Sequence, residues 1–229
     1  MSVSENVMRI RENIERAAAR SGGNGSDVIL VAACKSNVKE KIREAISAGV
    51  DACGENRVQE LIEKNAAGVY AGCPLHFIGH LQKNKVRQIV GVASLIQSAD
   101  SAELIEMISK RALHLGICQD VLIEVNIGRE AAKSGVDPRA AAELAAFAGT
   151  VDGVCVRGLM AIPPYSPGQT SELRCFQEMY NIFVDIKSKK YNNIRMDYLS
   201  MGMSADYEAA VSCGANMVRI GSAVFGARQ

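Results

Sequence analysis

Short apolar runs alternate with helical patterns along nearly the whole of this 229-residue chain. Strands are expected near Val28–Cys34, Asp51–Cys53, Leu75–Ile78 and Ser94–Gln97, then near Val121–Ile127, Val154–Met160, Asp197–Leu199 and Met217–Ile220. Helical spacing follows them: Val38–Ala48 (stopped by Gly49), from Glu55, from Gln82, Ser101–Leu113, Asp137–Phe147, a long helix ending near Lys189 after the Pro163–Gly168 loop, and Ala205–Ser212. Helices between strands imply parallel pairing, because parallel neighbours need a crossover connection. Eight such units close a (β/α)₈ barrel; a doubly wound open sheet is the rival arrangement. An extra amphipathic helix precedes them over Met1–Arg20, with Val3, Val7, Ile10 and Ile14 on one stripe. No linker, low-complexity segment or repeat divides the chain, so residues 1–229 read as one α/β domain.

Composition narrows the function classes. A net charge of +1 gives no basic excess to attract nucleic acid, and no charged tail suggests a membrane surface. Apolar runs fall short of a membrane span, and the N-terminal helix lacks the apolar centre of a signal peptide. A cytoplasmic location is expected. The seven cysteines, Cys34, Cys53, Cys73, Cys118, Cys155, Cys175 and Cys213, form no CxxC pair. No disulfide framework or zinc site follows from them, and most read as small buried apolar residues.

Barrel active sites lie at the C-terminal ends of the strands. Polar residues and glycines gather there: Lys35, Gly54-Glu55-Asn56, Gly79-His80, Asn126, Ser200-Met201-Gly202 and Arg219-Ile220-Gly221-Ser222. Strand alternation gives Ile29, Val31, Ala33 and Lys35 one face and Cys34 the other. A lysine at that inward end either snorkels to the barrel rim or has a lowered pKa and attacks an aldehyde. The loops after strands seven and eight suit a phosphate, with Gly221 allowing close approach and Ser222 offering N–H and hydroxyl. Ser204 is alternatively a cap for the helix after strand seven. A phosphate site combined with a first-strand lysine fits a phosphorylated aldehyde held at both ends.

Seven segments carry a resemblance. They are Val31-Ala32-Ala33-Cys34-Lys35, Gly54 through Glu60, His76 through Lys85, Val125-Asn126-Ile127 with Lys133-Ser134-Gly135, Gly158 through Pro163, Leu199 through Ser204, and Arg219 through Gly226. Together they make the chain similar to the YggS/PROSC family of pyridoxal phosphate homeostasis proteins. The resemblance implies the fold of the N-terminal barrel of alanine racemase, with pyridoxal 5′-phosphate (PLP) as cofactor, bound as an imine on Lys35. It implies Asn56 and His76 lining the site, Ser200, Met201, Gly202, Gly221 and Ser222 around the phosphate, and Arg219 at the pyridine nitrogen. The family usually has Ser and Thr where this chain has Cys34 and Ser36, a departure of little consequence if Cys34 points away. Read without the resemblance, Asn56 is an exposed helix-start residue, His76 a satisfied core histidine, and Arg219 one half of an ion pair with, for example, Glu124. His80 and His114 are read as surface residues.

Three functions remain open. The first is a non-catalytic carrier that keeps PLP as an imine and releases it to apo-enzymes, as the family's role implies, with no nucleic acid or membrane partner and a monomeric state. The second is a small PLP-dependent amino-acid racemase. The third is a phosphosugar-binding barrel enzyme without PLP. An arginine at the pyridine nitrogen disfavours ring protonation and weakens the electron sink. Racemases of this fold take a second base from a further domain, for which the chain after the eighth strand leaves no room. Both features favour the carrier, and catalytic residues are therefore expected to be absent.

Overall fold

The computed structural model describes residues 2–164 and 170–226. Among them, eight strands are hydrogen-bonded in sequence order into a closed barrel. Closure rejects the open-sheet alternative. The strands are β1 (Ile29–Ala33), β2 (Ala52–Glu55), β3 (Leu75–Phe77), β4 (Leu95–Ala99), β5 (Gln119–Val125), β6 (Val154–Ala161), β7 (Ile194–Ser200) and β8 (Met217–Ile220). The helices are α1 (Val3–Arg20), α2 (Lys39–Ser47), α3 (Val58–Ala66), α4 (Val86–Ile89), α5 (Ala102–His114), α6 (Ala141–Ala148), α7 (Thr170–Ser188), α8 (Tyr207–Ser212) and α9 (Ser222–Phe225). The chain groups into two compact units, Met1–Phe77 with Met201–Gln229, and Ile78–Ser200.

In the first unit, α1 starts with a capping box. The Ser2 hydroxyl accepts from the Glu5 N–H at 3.1 Å, and the Glu5 carboxylate accepts from the Ser2 N–H at 2.7 Å. Its expected apolar stripe is buried as read: Val3, Val7, Ile10 and Ile14 are all 5 % exposed or less. The helix packs on α2, α8 and α9. Arg11 ties it to the strand starts, donating to the Val28 and Gly49 carbonyls and to Asp51, whose carboxylate also accepts from the Leu30 N–H. Helix α3 begins at Val58, later than the expected Glu55, because β2 runs on through Glu55.

The second unit holds β4 to β7 with α4 to α7. Here β7 begins at Ile194, earlier than the expected Asp197, and pairs in parallel with β6. Exposed Arg195 hid its start, and Arg157 on β6 bridges Asp120 on β5 at 2.5 Å and Asp197 on β7 at 2.8 Å. The expected helix from Gln82 is a single tight turn, Lys83–Lys85, followed by the four residues of α4. Part of the Pro163–Gly168 loop lies outside the described residues. All seven cysteines are free, but only Cys34 and Cys53 are fully buried, so the reading of most cysteines as buried is corrected. Among the described residues, no helix is long and apolar enough to cross a membrane, and no group of side chains could hold a metal.

Gly158 marks the closest approach in this unit. It sits at φ +148° where the β5–β6 and β6–β7 registers shift, and a Cβ there would lie 1.8 Å from the Tyr198 carbonyl oxygen. No side-chain rotation relieves a clash with backbone. Gly158→Ala is therefore expected to destabilise the protein by about 3 kcal/mol or more. The check is the urea midpoint: it should fall with the slope unchanged, whereas a midpoint equal to wild type would contradict the packing.

Candidate functional site

Parallel neighbours point their side chains to the same face, so register fixes who meets whom. In the first unit Ala33 pairs with Gly54, and Gly54 with His76. Val31 pairs with Arg219. Lys35 lies two residues beyond Ala33, Asn56 two beyond Gly54, and Gly221 two beyond Arg219. Five of the expected residues thus share one parity at the C-terminal ends of β1, β2, β3 and β8. The opposite face carries Cys34 and Glu55, and Glu55 meets α3 and the chain beyond it, accepting from Lys64 and from the Tyr70 hydroxyl, each at 2.7 Å. The shared face is therefore the barrel interior, and Cys34 points away from it, as read.

The interior groups are shielded. His76 is 7 % exposed, and burial holds its pKa down at about 4. The ring is neutral at physiological pH. Arg219 is 4 % exposed, and its backbone N–H donates to the Gly202 carbonyl. Lys35 is half-buried at the strand's end. Asn56 is half-buried rather than exposed, and its Oδ1 has no hydrogen-bond partner among the described residues. A buried carbonyl oxygen left so costs roughly 1–3 kcal/mol unless something else meets it.

The two loops expected to hold phosphate are built differently. Gly202 is demanded by the protein itself: φ is +94°, and a Cβ would come 2.7 Å from the Ala210 Cβ. Gly221 is not. It has negative φ, and a Cβ would rest at an ordinary 3.5 Å from the Ala33 Cβ. Met201 is buried, its N–H donating to the Met217 carbonyl. Ser222 opens α9, a short helix missed in the sequence. Ser204 does not cap α8 as expected. Its hydroxyl oxygen accepts from the Gly221 and Ala223 N–H groups at 3.3 and 3.2 Å, clasping the start of α9. At the other end of α9, buried Asn6 donates to the Val224 carbonyl and Lys41 to the Phe225 carbonyl. No local pattern pointed to Asn6, Lys41 or this role of Ser204, since each acts across more than fifteen positions.

Ser200 closes β7 in the second unit, fully buried, with its hydroxyl donating to Gln97 Oε1 at 2.7 Å. His80 is a surface residue, near Asp100 and Ser134, and His114 is exposed.

Residues 6–229 match the family model for the alanine racemase N-terminal domain. The pyridoxal phosphate homeostasis protein of Aquifex aeolicus is 40 % identical over 229 residues, covering all of both chains. The chain belongs to that family. The relative of the same name in Escherichia coli is 36 % identical, across 99 % of this chain and 97 % of that one. Among solved structures, PipY of Synechococcus elongatus with PLP bound superimposes with a TM-score of 0.85 at 30 % identity, covering 98 % of this chain and all of that one. An alanine racemase from Clostridium difficile shares the fold, with a TM-score of 0.77 at 16 % identity, and this chain spans 57 % of its length.

Neutral, buried His76 has a measurable signature. An unfolded histidine titrates near 6.5 and folded His76 near 4. Between those values the unfolded chain binds the extra proton, so stability falls as pH drops through that window. This group should cost about 3 kcal/mol by pH 4. Comparing unfolding free energies of wild type and His76→Gln at pH 7 and pH 4.5 isolates it. The gap between the two proteins should change with pH; a gap that stays constant would count against a buried neutral ring.

Proposed function

We propose that this chain is a PLP carrier of a single barrel domain, holding the cofactor on Lys35 and delivering it to apo-enzymes without catalysis of its own. The observation that carries the reading is the interior row of Lys35, Asn56, His76, Arg219 and Gly221 at adjoining strand ends. PLP supplies an aldehyde that condenses with a lysine amine, losing one water, and a phosphate that anchors the other end of the molecule. The relatives' names and PLP-bound PipY support PLP as that ligand.

The residues present fit such a ligand. Asn56 Oδ1 is a buried acceptor lacking a protein partner among the described residues. Gly221 is bare although neither its φ nor its packing asks for glycine, so close approach of a ligand supplies a reason for it. Ser204 spends its acceptor capacity on two N–H groups and keeps one O–H to donate, a suitable arrangement beside an anion. Met201, Gly202 and Ser222 complete the proposed phosphate set. Ser200, whose hydroxyl is engaged with Gln97, enters it at the head of the segment leading to Met201. Arg219 is assigned to the pyridine nitrogen, where a guanidinium disfavours a protonated ring.

The same residues argue for carrying over catalysis. A ring histidine with pKa near 4 is a weak proton acceptor at neutral pH. The two tyrosines of the first unit are committed elsewhere: Tyr70 to Glu55, and Tyr207 to Asn13. Burial raises the pKa of both. A cytoplasmic monomer is part of the proposal.

Two outcomes test the reading. Gly221→Ala should leave the unfolding midpoint unchanged while weakening PLP binding about tenfold, with unphosphorylated pyridoxal little affected. Equal losses for both ligands would remove Gly221 from the phosphate site. Wild-type protein loaded with PLP should reactivate an apo-transaminase, yet show no racemisation or transamination of common amino acids. Turnover at ordinary enzyme rates, roughly 1–1000 per second, would restore the racemase-like alternative.

A further inference from the structure

The main chain on both sides of Lys35 is held by hydrogen bonds from outside the strand. Cys34 to Asn37 form a turn closed by the Asn37 N–H donating to the Cys34 carbonyl at 3.1 Å. Ser36 sits in it at φ +59°, a left-handed conformation that favours glycine. Two charged side chains of α3 hold this turn from outside the barrel. Lys64 Nζ donates to the Cys34 carbonyl at 3.0 Å, and Glu60 accepts from the Ser36 N–H at 2.8 Å. These are the two peptide groups that flank Lys35. The Asn37 amide adds a bond to the Lys35 carbonyl at 3.1 Å.

Both α3 side chains are themselves fixed. Lys64 Nζ bonds Glu55 Oε1 at 2.7 Å and Glu60 Oε2 at 3.3 Å, and the Tyr70 hydroxyl donates to the same Glu55 oxygen. Glu55 is fully buried and lies on β2 next to Asn56. A buried ion pair of this kind contributes little net stability, since desolvation offsets the attraction. What it contributes is direction: with two of its three N–H groups held by Glu55 and Glu60, the ammonium has one left, and that one meets the Cys34 carbonyl.

We propose that Lys64 and Glu60 are positioning residues that clamp the two peptide groups on either side of Lys35 and so aim its amine at an aldehyde. The proposal rests on Lys35 being the PLP-bearing lysine. Neither residue touches the ligand. Each restrains the backbone from which the reactive side chain springs, and a misplacement of about 1 Å at such a group is enough to slow bond formation a hundredfold.

The test separates aim from both ligand affinity and folding. PLP capture is followed by imine absorbance and by borohydride trapping, with the labelled peptide mapped. Affinity for 4′-deoxypyridoxine 5′-phosphate, which has a methyl group in place of the aldehyde, reads ring and phosphate binding alone. Glu60→Ala and Lys64→Met should slow PLP capture about tenfold or more while leaving the deoxy analogue bound as in wild type. Glu60→Gln keeps an oxygen for the Ser36 N–H and should recover most of the rate. Glu60 is half-buried at the surface, so its variants decide the matter even if Lys64→Met fails to fold. Capture at the wild-type rate in Glu60→Ala, or parallel losses of PLP and analogue, would overturn the proposal and reduce the pair to a staple of α3. Lys35→Ala stands as the separate control: trapping that persists there would refute the assignment of Lys35 itself.

Discussion

The lateral row Ala33–Gly54–His76 is the constraint on which the rest hangs. Parallel pairing makes side-chain parity a property shared by neighbouring strands, so one row decides the facing of three strands at once. A slip of one residue in β1 would turn Lys35 toward the helices and bring Cys34 inward. It would also pull the turn out of register with Lys64 and Glu60, which hold it. The barrel thus fixes by main-chain hydrogen bonds what the site needs from its side chains.

The two faces of that row carry different kinds of polar group, charged outside and neutral at His76 and Asn56 inside. Outside, Glu55 Oε1 accepts from Lys64 and Tyr70, its Oε2 has no partner among the described residues, and the Glu55 and Glu60 carboxylates together outweigh burial to hold the Lys64 amine above its usual pKa range. Inside, His76 is driven neutral by burial, and Asn56 Oδ1 has no partner among the described residues. Paired charge outside makes the frame stiff. Incompletely matched polarity inside costs stability in the free protein, which a bound ligand can return.

The barrel was legible because its signal is local. Each strand is an apolar run and each helix a 3.6-residue stripe, and eight repetitions leave little room for another topology. The N-terminal stripe of Val3, Val7, Ile10 and Ile14 was readable for the same reason. Elements that failed the pattern had identifiable causes. The start of β7 carries Arg195 on an exposed position, so the residues before Asp197 did not look like a buried strand. Helix α9 is four residues long, too short for any periodicity. For the candidate site, alternation gave Lys35 its face and Cys34 the other. Asn56 and His76 became readable only through the resemblance, since a lone polar residue on a strand has no period to announce it. Ser204, Asn6 and Lys64 were illegible in their roles, because each is defined by a partner distant in sequence.

Helix α9 shows how such distant partners turn a weak element into a fixed one. Four residues give few internal hydrogen bonds, and an isolated turn of this length does not persist in water. Here its first N–H groups are drawn together on the Ser204 hydroxyl, and its last carbonyls are met by Asn6 from α1 and Lys41 from α2. Both ends are thus held by side chains from elsewhere in the same unit. The added helix α1 therefore does more than cover apolar surface. Through buried Asn6 it fixes the carbonyl end of a helix whose amide end begins beside Gly221. An element outside the barrel strands thereby helps hold the loop at which a phosphate is proposed to bind.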